Sequence, residues 1–231
     1  MELHTHPDFS IRKLKLGRSE APLLVVDNFI SEVDYLVEHA SKQKFEKNSP
    51  FYPGVRADTP DVYKTLFLSA LQNVLIDFFD LEAKTLKFNI CHYSLVTTPP
   101  SKLHILQRIP HFDSTDSEGL AAVHYLFRGE LGGTSFYRHR KTGFEFINEA
   151  RKLEYFRSLE EENDTSNIPK PSYINGDTPL FERIGAEEGV FNRVVIYRRN
   201  SLHSGSISET FIPDSNPLTG RLSINSFIDP A

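Results

Sequence analysis

The sequence predicts an α+β protein, with helices packed on one side of a β-sandwich. Two observations carry this. Apolar residues recur at helical spacing over 32–46 and 61–79. From residue 85 the pattern changes to short alternating stretches rich in β-formers. Such a switch from helices to consecutive strands is the mark of segregated α+β architecture. With 231 residues the chain has room for one substantial core. It is therefore read as a single domain over 1–231, with supporting elements at 20–82 and a β core at 85–229.

The elements follow in order. Residues 20–30 form a short apolar run ending in a turn, hence a buried strand. Ser31-Glu32-Val33-Asp34 opens a helix in the manner of a capping box, and Val33, Leu36, Val37 and Ala40 continue it to about 46. Residues 48–60 are punctuated by proline and read as a loop. Val62, Leu66, Leu71, Leu75, Phe78 and Phe79 give the second helix, 61–79, a broad apolar face. Strands are expected over 85–96 and 120–127, with a loop from Ser114 to Gly119 between them. Residues 149–189 interrupt the strands; their first half reads as a surface helix and their second as an irregular loop. A long insert of this kind beside an active site is often a lid.

Composition excludes several classes. A net charge of −5 gives no basic excess for nonspecific nucleic-acid binding. No apolar run approaches the roughly 20 residues that span a bilayer. The single cysteine, Cys91, leaves no internal disulfide framework and fits a reducing compartment. The start, Met-Glu-Leu-His-Thr-His-Pro-Asp, has neither a basic nor an apolar segment, so no secretory signal is expected and the reading is cytoplasmic.

The chemistry concentrates in His111-Phe112-Asp113, His203 and Arg221. A His-x-Asp placed on a strand sets two ligands on one face, because side chains two apart point the same way. With His203 from downstream this makes two imidazoles and a carboxylate, a set suited to non-haem Fe(II) with open coordination positions. A second His-x-Asp, His6-Pro7-Asp8, is set aside: it lies at the terminus and its proline opposes strand pairing. Arg221 offers a planar cation for a carboxylate.

These pieces, in their order, resemble the iron- and 2-oxoglutarate-dependent dioxygenase superfamily in its prolyl-hydroxylase-like branch. Ile109-Pro110-His111-Phe112-Asp113 is similar to the first ligand strand. Ala121 to Leu126 is similar to the next strand, which often carries a tyrosine reaching the cosubstrate. Leu131-Gly132-Gly133-Thr134-Ser135-Phe136 resembles the following hairpin. Asn192 to Tyr197, Leu202-His203-Ser204-Gly205 and Gly220-Arg221-Leu222-Ser223-Ile224-Asn225 resemble the distal-histidine and closing-arginine strands. More narrowly, Tyr52-Pro53-Gly54-Val55-Arg56 and Phe136-Tyr137-Arg138-His139-Arg140 are similar to an uncharacterised bacterial subgroup.

The resemblance implies a double-stranded β-helix, or jelly roll. It implies Fe(II) on His111, Asp113 and His203, and 2-oxoglutarate held by Arg221, Ser223 and Tyr125. It further implies O2 as co-reactant and hydroxylation of an unactivated C–H bond in a small molecule, amino acid or peptide. Eighteen positions separate His203 from Arg221, longer than is usual there, so 206–219 is read as an inserted loop. Two other readings stay open: a noncatalytic metal-binding jelly roll, and a Zn hydrolase with Asp116 or Glu118 as base. His124 is expected to point away from the cavity if Tyr125 faces it. Arg138-His139-Arg140 is read either as a contact for an anionic substrate or as a solvated hairpin end. His92 and His104 are read as structural, and Tyr52, Arg56 and Gln107 as candidates for the cavity entrance. Oligomeric state is left open.

Overall fold

A computed structural model describes residues 2–47, 49–163 and 167–231. Asn48, in the expected 48–60 loop, and residues 164–166, in the expected insert, lie outside the described residues. The elements are β1 (Ser10–Leu16), β2 (Ala21–Asp27), α1 (Val33–Ser41), β3 (Gly54–Asp58), α2 (Asp61–Phe79), β4 (Leu86–Val96), β5 (Leu120–Tyr125), β6 (Gly133–His139), α3 (Glu149–Glu161), β7 (Phe181–Glu187), β8 (Val194–Arg198), β9 (His203–Ser206) and β10 (Leu222–Pro230). The strands form two antiparallel sheets with a jelly-roll-like arrangement. The large sheet runs β1-β2-β8-β5-β10-β4-β3, and the small one β7-β6-β9.

Strand periodicity explains the layering. Leu24 and Val26 of β2, Val194 and Ile196 of β8, and Tyr93 and Leu95 of β4 face α1 and α2. Their neighbours Leu23, Val25, Val195 and Tyr197 turn to the other side and pack with Ala121, Tyr125 and Phe136 against the small sheet. β2 and β8 are buried on both faces, which is why they read as continuous apolar runs rather than alternating ones.

The α2 helix buries Tyr63, Phe67, Leu71, Leu75 and Phe79, a stripe at i, i+4 spacing. It ends at Asp80, whose φ of 48° is left-handed. The α1 helix stops at Ser41 rather than near 46. The apolar signal of Phe45 is met by packing on the core without helix, and Glu46 instead pairs its backbone with Arg56. Among the described residues, no helix is long and apolar enough to cross a membrane.

Three strands lie where no strand is expected from the sequence. β1, Ser-Ile-Arg-Lys-Leu-Lys-Leu, is an edge strand whose basic residues hide its pairing with β2. β3 lies in the expected 48–60 loop and forms the opposite edge. β7 lies in the expected irregular half of the insert and pairs with β6, so 149–189 is partly sheet. Here Gly185 and the charged residues weaken the alternation. The 206–219 stretch is the expected connection between strands. Asp214 and Asn216 staple it with backbone and Thr219 contacts before the chain enters β10.

Candidate metal centre and its cavity

His111 and His203 meet across an isolated backbone bridge, in which each N–H donates to the other's carbonyl at 2.9 Å. The first ligand segment is therefore not the expected strand. Pro110 brings no N–H to a ladder, and two residues after His111 the Asp113 N–H turns to the Arg199 carbonyl at 2.8 Å. The facing relation survives on this minimal scaffold. Asp113 Oδ1 lies 3.6 Å from His111 Nε2, and its Oδ2 3.5 Å from His203 Nε2. The three residues' ligand atoms all lie within 4.8 Å of one another. These separations exceed hydrogen-bond length. The groups surround a common point without bonding to each other, as a two-imidazole, one-carboxylate donor set for a metal should.

His203 Nδ1 donates to the Ser201 carbonyl at 2.9 Å, which leaves the lone pair of Nε2 turned toward Asp113. The Asp113 and His203 side chains are 16% and 6% exposed. His111 is half-exposed, but its open side faces the cavity and protein surrounds the rest. Its pKa is pushed down to about 4, first by burial and then by His203, with Asp113 opposing. The neutral imidazole is the form that ligates a metal.

Arg221 lies at the mouth of β10, 6% exposed. Its Nε donates to the Leu131 carbonyl at 2.8 Å, and its Nη2 to the Gly133 carbonyl at 3.0 Å. The Phe127 ring lies 5.4 Å from the guanidinium. Among the described residues no carboxylate reaches it. The dipoles of a glycine-marked turn hold a buried cation in one orientation and leave its charge uncompensated. Gly132 has φ 82°, which permits that turn.

The ligand trio and Arg221 open onto one cavity of about 800 Å³, a size suited to a ligand with room beyond a small cosubstrate. Ser223 lines it, its hydroxyl donating to Asn225 Oδ1 at 2.7 Å. Tyr52, Arg56 and Gln107 line it as well, as do His92 and His104. Tyr125, the third expected cosubstrate contact, is placed differently from Ser223. Its ring faces the intersheet space, but it is fully buried, its hydroxyl is bonded to Thr134 Oγ1 at 2.7 Å, and Thr134 is the residue that reaches the cavity.

His124 points to the helix face, between Phe29 and Tyr63, with Nε2 donating to Asn192 Oδ1 at 3.1 Å. Of Arg138-His139-Arg140, none lines the cavity, and Arg140 alone is exposed at the hairpin end. Arg138 pairs with Glu145 and Glu182, and fully buried His139 bonds Glu162 at 2.8 Å, outside the cavity lining. Asp116 and Glu118 lie by Arg199 and Arg198 and do not line the cavity, so no base is placed for a hydrolase.

Sequence reasoning missed two groups. Tyr197 packs its ring 4.6 Å from that of His203. Tyr155, Phe156 and Leu159 of α3 wall the cavity beside Phe112. Their i, i+4 spacing within the insert was the available signal.

The chain belongs to the family described as "Family of unknown function (DUF6445)", which matches residues 7–228. No curated protein matches it. Among solved structures it is similar to HygX from Streptomyces hygroscopicus with nickel, 2-oxoglutarate and hygromycin B bound. That likeness has 13% identity over 91% of this chain and 84% of that one, with a TM-score of 0.51. It is also similar to the non-haem α-ketoglutarate-dependent carbocyclase SnoK from nogalamycin biosynthesis, at 11% identity over 92% and 81% of the two chains, TM-score 0.50. At such identities the likeness establishes the fold, one that HygX uses with nickel and 2-oxoglutarate bound.

Proposed function

We propose that this protein is an Fe(II)- and 2-oxoglutarate-dependent oxygenase with a double-stranded β-helix core, akin to the prolyl-hydroxylase-like branch. In this reading it hydroxylates an unactivated C–H bond of a small molecule, amino acid or peptide. One observation carries the reading: an open two-histidine, one-aspartate cluster and a buried arginine with no counter-ion among the described residues face the same cavity. A closed structural site or a simple metal sensor has no use for the second feature. The fold shared with HygX, which binds nickel and 2-oxoglutarate, supports it.

The residues divide the work. His111, Asp113 and His203 hold the metal, the carboxylate offsetting one of its charges. Ser201 fixes the tautomer of His203 through its carbonyl. Arg221, held by the Leu131 and Gly133 carbonyls, receives the distal carboxylate of 2-oxoglutarate with a charge-assisted contact. Ser223 lies beside it on the same strand face. The metal and cosubstrate together supply the oxidising chemistry, with substrate C–H, O2 and 2-oxoglutarate giving alcohol, succinate and CO2. Phe112, Phe156 and Leu159 keep water from the reacting side. The whole chain acts as one catalytic domain, cytoplasmic, without a nucleic-acid or membrane partner.

The test is succinate formation by purified protein in air with Fe(II), ascorbate and 2-oxoglutarate. Slow substrate-free turnover is expected, abolished in His111→Ala and Asp113→Ala. Metal-replete protein that yields no succinate and binds no 2-oxoglutarate would refute the reading.

A further inference from the structure

The cavity holds a second arginine that the oxygenase chemistry does not use. Arg56 lies on β3 opposite Ser94 of β4, which in turn lies opposite Ser223 of β10. Directly opposed residues of an antiparallel sheet share a face, so Arg56, Ser94 and Ser223 form one row turned toward the cavity. Two strand spacings put Arg56 about 10 Å from Ser223, toward the open edge of the sheet. The Tyr52 ring stacks on its guanidinium at 4.5 Å and fixes its direction.

The guanidinium makes no hydrogen bond and no ion pair among the described residues, and its Nε is buried without a partner. Beside it, the buried hydroxyl of Tyr52 and Nδ1 of His92 also lack partners. Buried polar atoms are nearly always satisfied. Three orphans on one wall of one cavity therefore mark the place of a missing polar group. Burial draws the Arg56 pKa down, against Tyr52 and Asp113.

Charge balance identifies the sign of that group. Among the described residues, Arg56, Asp113 and Arg221 are the charged residues lining the cavity, apart from its histidines. A divalent metal and dianionic 2-oxoglutarate cancel each other, and Asp113 cancels Arg221. Arg56 is left as one uncompensated positive charge in a low-dielectric site, a costly arrangement unless the ligand is an anion. Next to Asp113 a monoanion is favoured over a phosphate dianion. Much of the rest of the wall is apolar: Phe51, Leu106 and Phe156 are exposed at the rim, with Phe112 beside Phe156, while Gln107 and His104 add polar groups.

We propose that the prime substrate is an organic monocarboxylate with an apolar body, and that Arg56, with the Tyr52 hydroxyl, receives its carboxylate. This rests on the oxygenase reading for the word substrate; the anion site itself does not.

The test is direct binding to the full-length protein. Matched pairs of acid and primary amide (hexanoate and hexanamide, octanoate and octanamide, 3-phenylpropanoate and 3-phenylpropanamide) are titrated by calorimetry in two settings. One is wild type with Ni(II) and saturating 2-oxoglutarate. The other is Arg221→Gln with Ni(II) alone, where Arg56 is the remaining cavity arginine.

In both settings at least one acid is expected to bind about tenfold or more tightly than its amide, the worth of a charge-assisted hydrogen bond. Arg56→Gln is expected to erase that preference. Arg56→Met, which keeps the stem's packing, is expected to erase it too, so a folding defect in one variant does not decide the matter. Equal binding of acid and amide across all pairs, or a preference that persists in both Arg56 variants, overturns the proposal. Failure of wild type to bind 2-oxoglutarate would instead count against the oxygenase reading, and the Arg221→Gln titration would still judge the anion site.

Discussion

The two faces of the large sheet are built from the same strands and do opposite things. One lateral row, Ala57, Tyr93, Ile224 and His124, faces α1 and α2 and is packed shut. The next row, Arg56, Ser94, Ser223 and Tyr125, faces the small sheet, and Arg56 and Ser223 of it line the cavity. On each side of the large sheet lies a histidine whose pKa is pushed down to about 4: His124 of β5 on the helix side, and His111, bridged to β9 of the small sheet, across the cavity. On the helix face burial alone accounts for His124, wedged among aromatic rings with one nitrogen unbonded. On the cavity side His111 is shifted by burial and by a second imidazole, while its ring stays open to a ligand. A depressed histidine thus marks chemistry only where its lone pair has somewhere to point.

That contrast can be broken at several points. Removing a ligand should have the largest effect. Asp113→Ala should lower metal affinity and succinate formation by about 100-fold or more with the thermal transition little changed, read by metal analysis and turnover. On the other face Phe67→Ala should do the reverse. Phe67 is fully buried against Phe29, Tyr63 and Phe88, and its loss should cost about 3–5 kcal/mol in urea unfolding while leaving metal binding per folded molecule intact.

His124 gives a pH signature. Below pH 6.5 the unfolded chain takes up a proton that the folded chain refuses until about pH 4. Stability is therefore lost as pH falls through that window, by about 3 kcal/mol in full from this group. His124→Phe should make the acid limb shallower by one proton; an unchanged slope would show that the buried imidazole is not the cause.

Arg221→Gln should weaken 2-oxoglutarate binding by about 2 kcal/mol, roughly 30-fold, with metal content unchanged. Equal loss of metal would place Arg221 in the wrong role. Tyr125→Phe is the smallest case. Its hydroxyl serves Thr134, so a stability loss near 1 kcal/mol is expected with under threefold change in 2-oxoglutarate affinity. A larger change in affinity would return Tyr125 to the cosubstrate.

The sequence was legible where a single interaction dominated. α2 spans Asp61–Phe79, the range its apolar period predicted, because one face of 19 residues is satisfied by one core. β4 at Leu86–Val96 and β5 at Leu120–Tyr125 follow from alternation for the same reason. It was illegible at the edges. β1, β3 and β7 owe their pairing to neighbours far along the chain, and their exposed sides carry charges or glycine. The Arg138-His139-Arg140 cluster misled because its partners Glu145, Glu162 and Glu182 are supplied by later segments.

By itself the sequence determined the kinds of group available: two histidines and an aspartate with ligand chemistry, arginines that stay charged at any working pH, and apolar periods that commit segments to helix or strand. These are properties of residue type and near spacing, which local sterics and side-chain chemistry fix. The tertiary structure alone decided which charges find partners. Arg138 and Arg199 acquire carboxylates, while Arg56 and Arg221 are carried by sheet register to a wall where none among the described residues reaches them. Coulomb energy and desolvation depend on distances between segments remote in sequence, so the unpaired charges that define this cavity exist only once the sheets have closed around it.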